Sequence, residues 1–170
     1  MIDIVIFDFD GLILDTETPE YDAWQEIYGE FGVNMPLEVW GKSIGQRAGT
    51  FDPLAHLEIT AGCEIPRLEI KERHQLRFHN LLQKEALRPG ITSYLEDADR
   101  LGVKRAVASS ASRDWVEGHL IRHDIAHRFG CIVTVEDATH AKPDPELFNL
   151  ALTRMNAPAD RAVVLEDSPN

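Results

Sequence analysis

The feature that most restricts what this chain can fold into is a set of short apolar runs, each ended by polar residues and set apart by stretches with helical spacing. Residues 2–7 are rich in Ile and Val and stop at Asp8, and similar runs occupy 103–108, 131–135 and 162–165. Runs this short and continuously apolar read as strands of a parallel sheet buried on both faces. Between the later runs lie helical patterns at 91–101, closed by Gly102, at 115–123, and at 146–155, started by Pro143-Asp144-Pro145. Regular alternation of helix and strand implies a Rossmann-like, doubly wound α/β core.

One interval breaks the alternation. After the first run, 8–18 reads as a loop, and from Pro19 the residues Tyr21, Trp24, Ile27, Tyr28 and Phe31 recur at helical spacing up to Gly32. The stretch 33–62 is less regular, and 66–87 carries Leu68, Leu76, Phe78, Leu81, Leu82 and Leu87 on a polar background. The whole block reads as helical, and Pro89-Gly90 marks the return to alternation. The expected division is a core of 1–15 and 89–170 with an inserted helical cap, 16–88, whose two adjacent linkers act as a hinge. At the far end Ser168-Pro169-Asn170 offers a helix cap and a first-turn proline with no helix after them. The expectation is a fragment lacking its last βα unit.

Charge narrows the functional classes. With 29 acidic and 17 basic side chains among 170 residues, the formal charge of −12 repels nucleic-acid phosphates and anionic membrane surfaces. No apolar stretch approaches the roughly 20 residues of a membrane helix, and the N-terminus has an acid where a signal peptide is basic. Cys63 and Cys131 match neither a metal pair nor a disulfide framework, so reduced thiols and a cytoplasmic location are expected.

Ligands of open parallel sheets gather at the carboxyl ends of the strands. There the chain places Asp8 and Asp10, then Ser109 and Ser110, then His140-Ala141-Lys142-Pro143, and last Glu166 and Asp167. Several carboxylates on one rim repel one another unless a cation sits among them, and an all-oxygen donor set suits Mg²⁺. Lys142 can neutralise charge and Ser109 can donate a hydrogen bond, which suits a ligand carrying its own oxyanions, such as phosphate. Elsewhere, His119 and His123 share the spacing of a zinc pair but Leu120 replaces the required Glu, so no metal is expected there. Ser110 reads as a cap or backbone contact, and Trp24, Trp40 and Trp115 read as core or cap-interface residues.

Asp8-Phe9-Asp10-Gly11-Leu12 with Asp15-Thr16-Glu17, then Ser109, Lys142-Pro143 and Glu166-Asp167-Ser168, resemble in order the four motifs of the haloacid dehalogenase superfamily. The helical insertion after the first motif resembles the subclass with a four-helix cap, which holds β-phosphoglucomutase-like and phosphatase members. The resemblance implies an Mg²⁺-dependent phosphatase of a small, sugar-phosphate-like metabolite, with Asp8 as nucleophile, Asp10 as general acid and base, and Ser109 and Lys142 on the phosphoryl oxygens. The implied metal ligands are Asp8, the Asp10 main-chain carbonyl, Glu166 and Asp167. It places Arg47 and Glu20 toward the substrate. Glu20 stands where the mutase members carry His, which favours water over a sugar hydroxyl as acceptor and leaves a phosphosugar mutase as the alternative. The presence of Asp10 argues against dehalogenation. The family's sheet order makes the last strand an exposed edge in this chain, from which self-association, or an inactive phosphate-binding fragment, is the further expectation.

Overall fold

The computed structural model describes residues 1–41 and 51–168. The chain divides into two compact units, one made of Met1–Asp15 and Ala86–Asn170, the other of Thr16–Glu85.

The first unit is built on four parallel strands, β1 (Ile4–Phe7), β2 (Lys104–Ala108), β3 (Cys131–Val133) and β4 (Ala162–Leu165), in the order β3-β2-β1-β4. Strand β1 is one of the two inner strands, with Ile4, Ile6 and Phe7 withdrawn from solvent, as its continuous apolar run requires. Ile4, Ile6, Ala106, Ala108 and Val133 meet Leu147 and Ala151 in the unit's core. Those two belong to the last of the unit's three longer helices, Ile91–Leu101, Arg113–Arg122 and Glu146–Met155. Two of these helices and the last strand have the bounds their sequence patterns predict. The middle helix begins two residues before the predicted Trp115, because the Ser112 hydroxyl accepts the Trp115 amide hydrogen and caps the turn. The third strand ends at Val133 instead of 135, because the Asp137 carboxylate accepts the Thr134 amide and turns the chain into a short 3₁₀ segment, Val135–Asp137. Among the described residues β4 is an edge, with Val163 and Val164 partly exposed.

The second unit is entirely helical among its described residues. Its helices are α1 (Glu17–Glu30), α2 (Leu37–Trp40), α3 (Pro53–Ala61) and α4 (Arg67–Leu82); those of the first unit follow as α5, α6 and α7. Trp24, Ile27, Tyr28, Met35, Trp40, Leu57, Ile65 and Ile70 form its core, with the Tyr28 hydroxyl donating to the Pro53 carbonyl at 2.7 Å. Helix α1 starts at Glu17, two residues ahead of the predicted Pro19, and α4 ends at Leu82, short of Leu87. Leu87 is instead bridged to Leu14 in the first unit, beside the Arg88 amide, which donates to the Ile13 carbonyl at 3.0 Å. No described helix is long and apolar enough to cross a membrane.

Candidate active site

Sheet register decides which polar residues share a rim. Phe7 is level with Val107 on one side and with Leu165 on the other. In a parallel sheet the next residues therefore leave the strands at the same height, which brings Asp8 beside Glu166 and one position short of Ser109. The Asp8 amide donates to the Leu165 carbonyl at 3.0 Å, so the first carboxylate is delivered by the sheet itself. The Ser109 amide is tied to the Val133 carbonyl at 3.0 Å in the same way, and its hydroxyl accepts from the Ala111 amide.

Lys142 completes the cluster from the loop ahead of α7. Its ammonium donates to Asp8 Oδ1 at 2.6 Å and to Glu166 Oε1 at 2.5 Å, with only 8% of its side chain exposed. Two contacts hold it there. The Ser110 hydroxyl accepts the Lys142 amide hydrogen at 3.2 Å, and the ammonium stands 5.0 Å from the Phe148 ring centre. Ser110 is thus the backbone contact its position suggests, whereas Phe148 carries no sequence signal beyond a core position on α7.

Burial pushes the Asp8 carboxyl up to about 6, against the pull of the Lys142 ammonium; the Glu166 charge pushes the same way as burial. A carboxylate held in an apolar setting beside a second acid needs positive charge to remain ionised, and Lys142 is one source. Carboxylate oxygens of Asp8, Glu166 and Asp167 lie within 4.8 Å of one another, a spacing that one divalent cation can bridge. Gly11 makes room for this arrangement: its φ is +73°, and a Cβ there would collide with the Asp167 carboxylate. The hard, all-oxygen donor set therefore fits Mg²⁺.

The other candidate residues are placed differently. Asp10 lies on the loop after β1, and its Oδ1 accepts a hydrogen bond from the Trp115 indole at 2.9 Å. The sequence places Trp115 among core or cap-interface residues, and the only signal of this contact is the indole N–H itself, a donor that seeks a partner when buried. Glu20 lies in the first turn of α1 in the helical unit, with its carbonyl 3.4 Å from His74 Nε2. Arg47 falls outside the described residues. His140, Asp144 and Glu146 also bring ligand atoms within 4.8 Å of one another. There the Glu146 carboxylate already accepts the Thr139 and His140 amide hydrogens, which accounts for the grouping as loop closure.

Known proteins share this plan. Residues 5–170 match the family described as haloacid dehalogenase-like hydrolase. YhcW of Bacillus subtilis (strain 168), a provisionally named phosphatase, is 43% identical over 170 residues, covering all of this chain and 77% of the relative. The phosphorylated carbohydrates phosphatase of Thermotoga maritima is 29% identical, over 98% of this chain and 77% of its own. A Thermotoga maritima crystal structure, provisionally named as a β-phosphoglucomutase, superposes with a TM-score of 0.80 at 26% identity, over 98% of this chain and 77% of that one. The match spans the sheet, the helical insertion and every segment that feeds the rim, and the chain belongs to the haloacid dehalogenase-like hydrolases.

Proposed function

We propose that this protein is an Mg²⁺-dependent phosphatase of a small, sugar-phosphate-like metabolite, working through an aspartyl-phosphate. The observation that carries the reading is the buried Asp8 carboxylate at the end of the inner strand β1, held at 2.6 Å by Lys142 with Glu166 and Asp167 alongside. In the first half-reaction an Asp8 oxygen forms a bond to phosphorus while the bond from phosphorus to the substrate's ester oxygen breaks. Asp10 gives its proton to the departing oxygen. In the second half, a water oxygen bonds to phosphorus, Asp10 takes the water proton, and the bond to Asp8 breaks, restoring the carboxylate and releasing inorganic phosphate.

Ser109 and Lys142 orient the phosphoryl oxygens, and Lys142 neutralises part of their charge. Asp8, the Asp10 carbonyl, Glu166 and Asp167 would hold Mg²⁺, which supplies electrostatic stabilisation of the transferring group. The substrate class is supported by relatives named for phosphorylated carbohydrates and for fructose 1-phosphate. Glu20 and Arg47 are the proposed substrate contacts from the helical unit. The test is phosphate release from a sugar-phosphate panel and from p-nitrophenyl phosphate, with and without EDTA. Asp8→Asn is expected to lower turnover by about 10³-fold or more, as loss of a nucleophile does. Undiminished release by Asp8→Asn removes this mechanism. Isomerisation of a hexose 1-phosphate without free phosphate, read by phosphorus NMR, would establish the mutase reading in its place.

A further inference from the structure

A residue outside the family's motifs touches the proposed acid and base. Trp115 stands in the first turn of α6, where the Ser112 cap fixes its backbone. Its indole Nε1 donates to Asp10 Oδ1 at 2.9 Å, across 105 positions of sequence. The indole packs edge-on against His119, with ring centres 4.4 Å apart and planes at 75°, and His119 stacks on Phe9 at 5.9 Å. Phe9 is the residue between Asp8 and Asp10 and is buried. The start of α6 is itself clamped: the Arg113 amide donates to Glu136, and its guanidinium reaches Glu117 at 2.7 Å and Asp137 at 2.5 Å. The Asp10 side chain is thus hydrogen-bonded to a rigid helix, and its backbone neighbour is stacked on that same helix.

An indole nitrogen can donate but never accept. Oδ1 of Asp10 receives the indole hydrogen, and because the unprotonated oxygen of a carboxyl is the stronger acceptor, the transferable proton is assigned to Oδ2. We propose that Trp115 is a positioning residue for the phosphatase reaction, fixing the rotamer of Asp10 and selecting the oxygen that exchanges the proton. The inference rests on the reading of Asp10 as general acid and base. A proton must be delivered in line with the departing ester oxygen, and a carboxyl free to rotate about its side-chain bonds spends much of its time misaligned.

Leaving-group chemistry separates this role from simple packing. A sugar alkoxide departs poorly unless protonated, whereas p-nitrophenolate departs without help, and kcat/KM reports the step in which either leaves. Trp115→Phe keeps a ring against His119 and removes the donor. It is expected to lower kcat/KM for the best sugar phosphate of the panel about 10-fold, within the range general acid catalysis supplies, while changing that for p-nitrophenyl phosphate less than about 2-fold. In the Asp10→Asn background the same substitution should add no further loss, since both changes remove one device. Equal loss on both esters, or full additivity with Asp10→Asn, overturns the role.

Failure of the underlying reading has a different signature: Asp10→Asn itself leaves sugar-phosphate hydrolysis intact, or no sugar phosphate is hydrolysed. If Asp10→Asn is impaired and Trp115→Phe matches the parent on both esters, only the positioning role falls. A measurement free of activity guards against a variant that does not fold. The protein has three tryptophans, so the Trp115 indole N–H resonance can be assigned from Trp24→Phe and Trp40→Phe spectra. Asp10→Ala should move that resonance upfield and leave the other two in place; no movement overturns the proposal.

Discussion

Acidification should loosen the helical unit through one histidine. His74 on α4 is buried, with its ring flat against Trp24 at 3.9 Å and 18° and parallel to Phe78 at 6.2 Å. Burial lowers its pKa from 6.5 to about 4; the Glu20 carbonyl opposes the shift and the Arg77 guanidinium adds to it. Between those two values the unfolded chain binds a proton that the folded chain refuses. Stability from this group is therefore complete above pH 6.5 and is lost as pH falls toward 4. At 1.36 kcal/mol per pH unit the full loss is about 3 kcal/mol, of which about 2 kcal/mol is gone by pH 5.

His74→Phe keeps a planar ring in the stack and removes the titration. Urea midpoints of the two proteins, measured from pH 7.5 to 4.5, should therefore diverge as pH falls, the parent losing stability that the variant keeps. Asp8 works in the opposite sense, because a carboxyl raised to about 6 by burial favours the folded state on acidification. That contribution is common to both proteins and cancels in the difference. A difference that stays flat within about 0.5 kcal/mol across this range, the scatter expected of an independent surface change, refutes the assignment.

Two further perturbations address the rim. Lys142→Met leaves the Asp8 and Glu166 carboxylates without their ammonium, and breaking such a pair should cost about 3 kcal/mol in EDTA. Added Mg²⁺ should recover part of that loss; thermal unfolding unchanged from the parent in EDTA contradicts the ion-pair geometry. Gly11→Ala places a side chain in the left-handed region, at a cost of about 1 kcal/mol, and pushes the Asp167 carboxylate aside. Half-maximal activity should then need more Mg²⁺ than in the parent, and an unaltered Mg²⁺ titration argues against Asp167 as a ligand.

Much of the core was legible because buried parallel strands are written as continuous apolar runs. Helix bounds at Ile91–Leu101 and Glu146–Met155 followed from Gly102 and from Pro143-Asp144-Pro145, signals that act locally. Two of the boundaries differ from the sequence pattern because a side chain reaches back to the backbone. Ser112 lengthens α6 at its start, and Asp137 shortens β3 at its end. Hydrogen bonds of this kind depend on where the capping side chain points, and spacing does not report that.

For the site, the acids, the serine and the lysine were visible as residue types standing after strands. Their association was not, since it depends on register: Phe7 level with Leu165 puts Asp8 beside Glu166, and Lys142 reaches both from a loop. Trp115 shows the same limit more sharply. Nothing in its sequence surroundings separates an indole that fills space from one that donates to Asp10, because the two differ only in what lies opposite the nitrogen. Patterns that act over a few residues disclose the four strands, the helices around them and the chemistry offered at the strand ends, but leave the helices of 33–62 unseparated. Which of those groups meet is settled only in three dimensions, because contacts across more than a hundred positions are set by sheet order, register and side-chain rotamer.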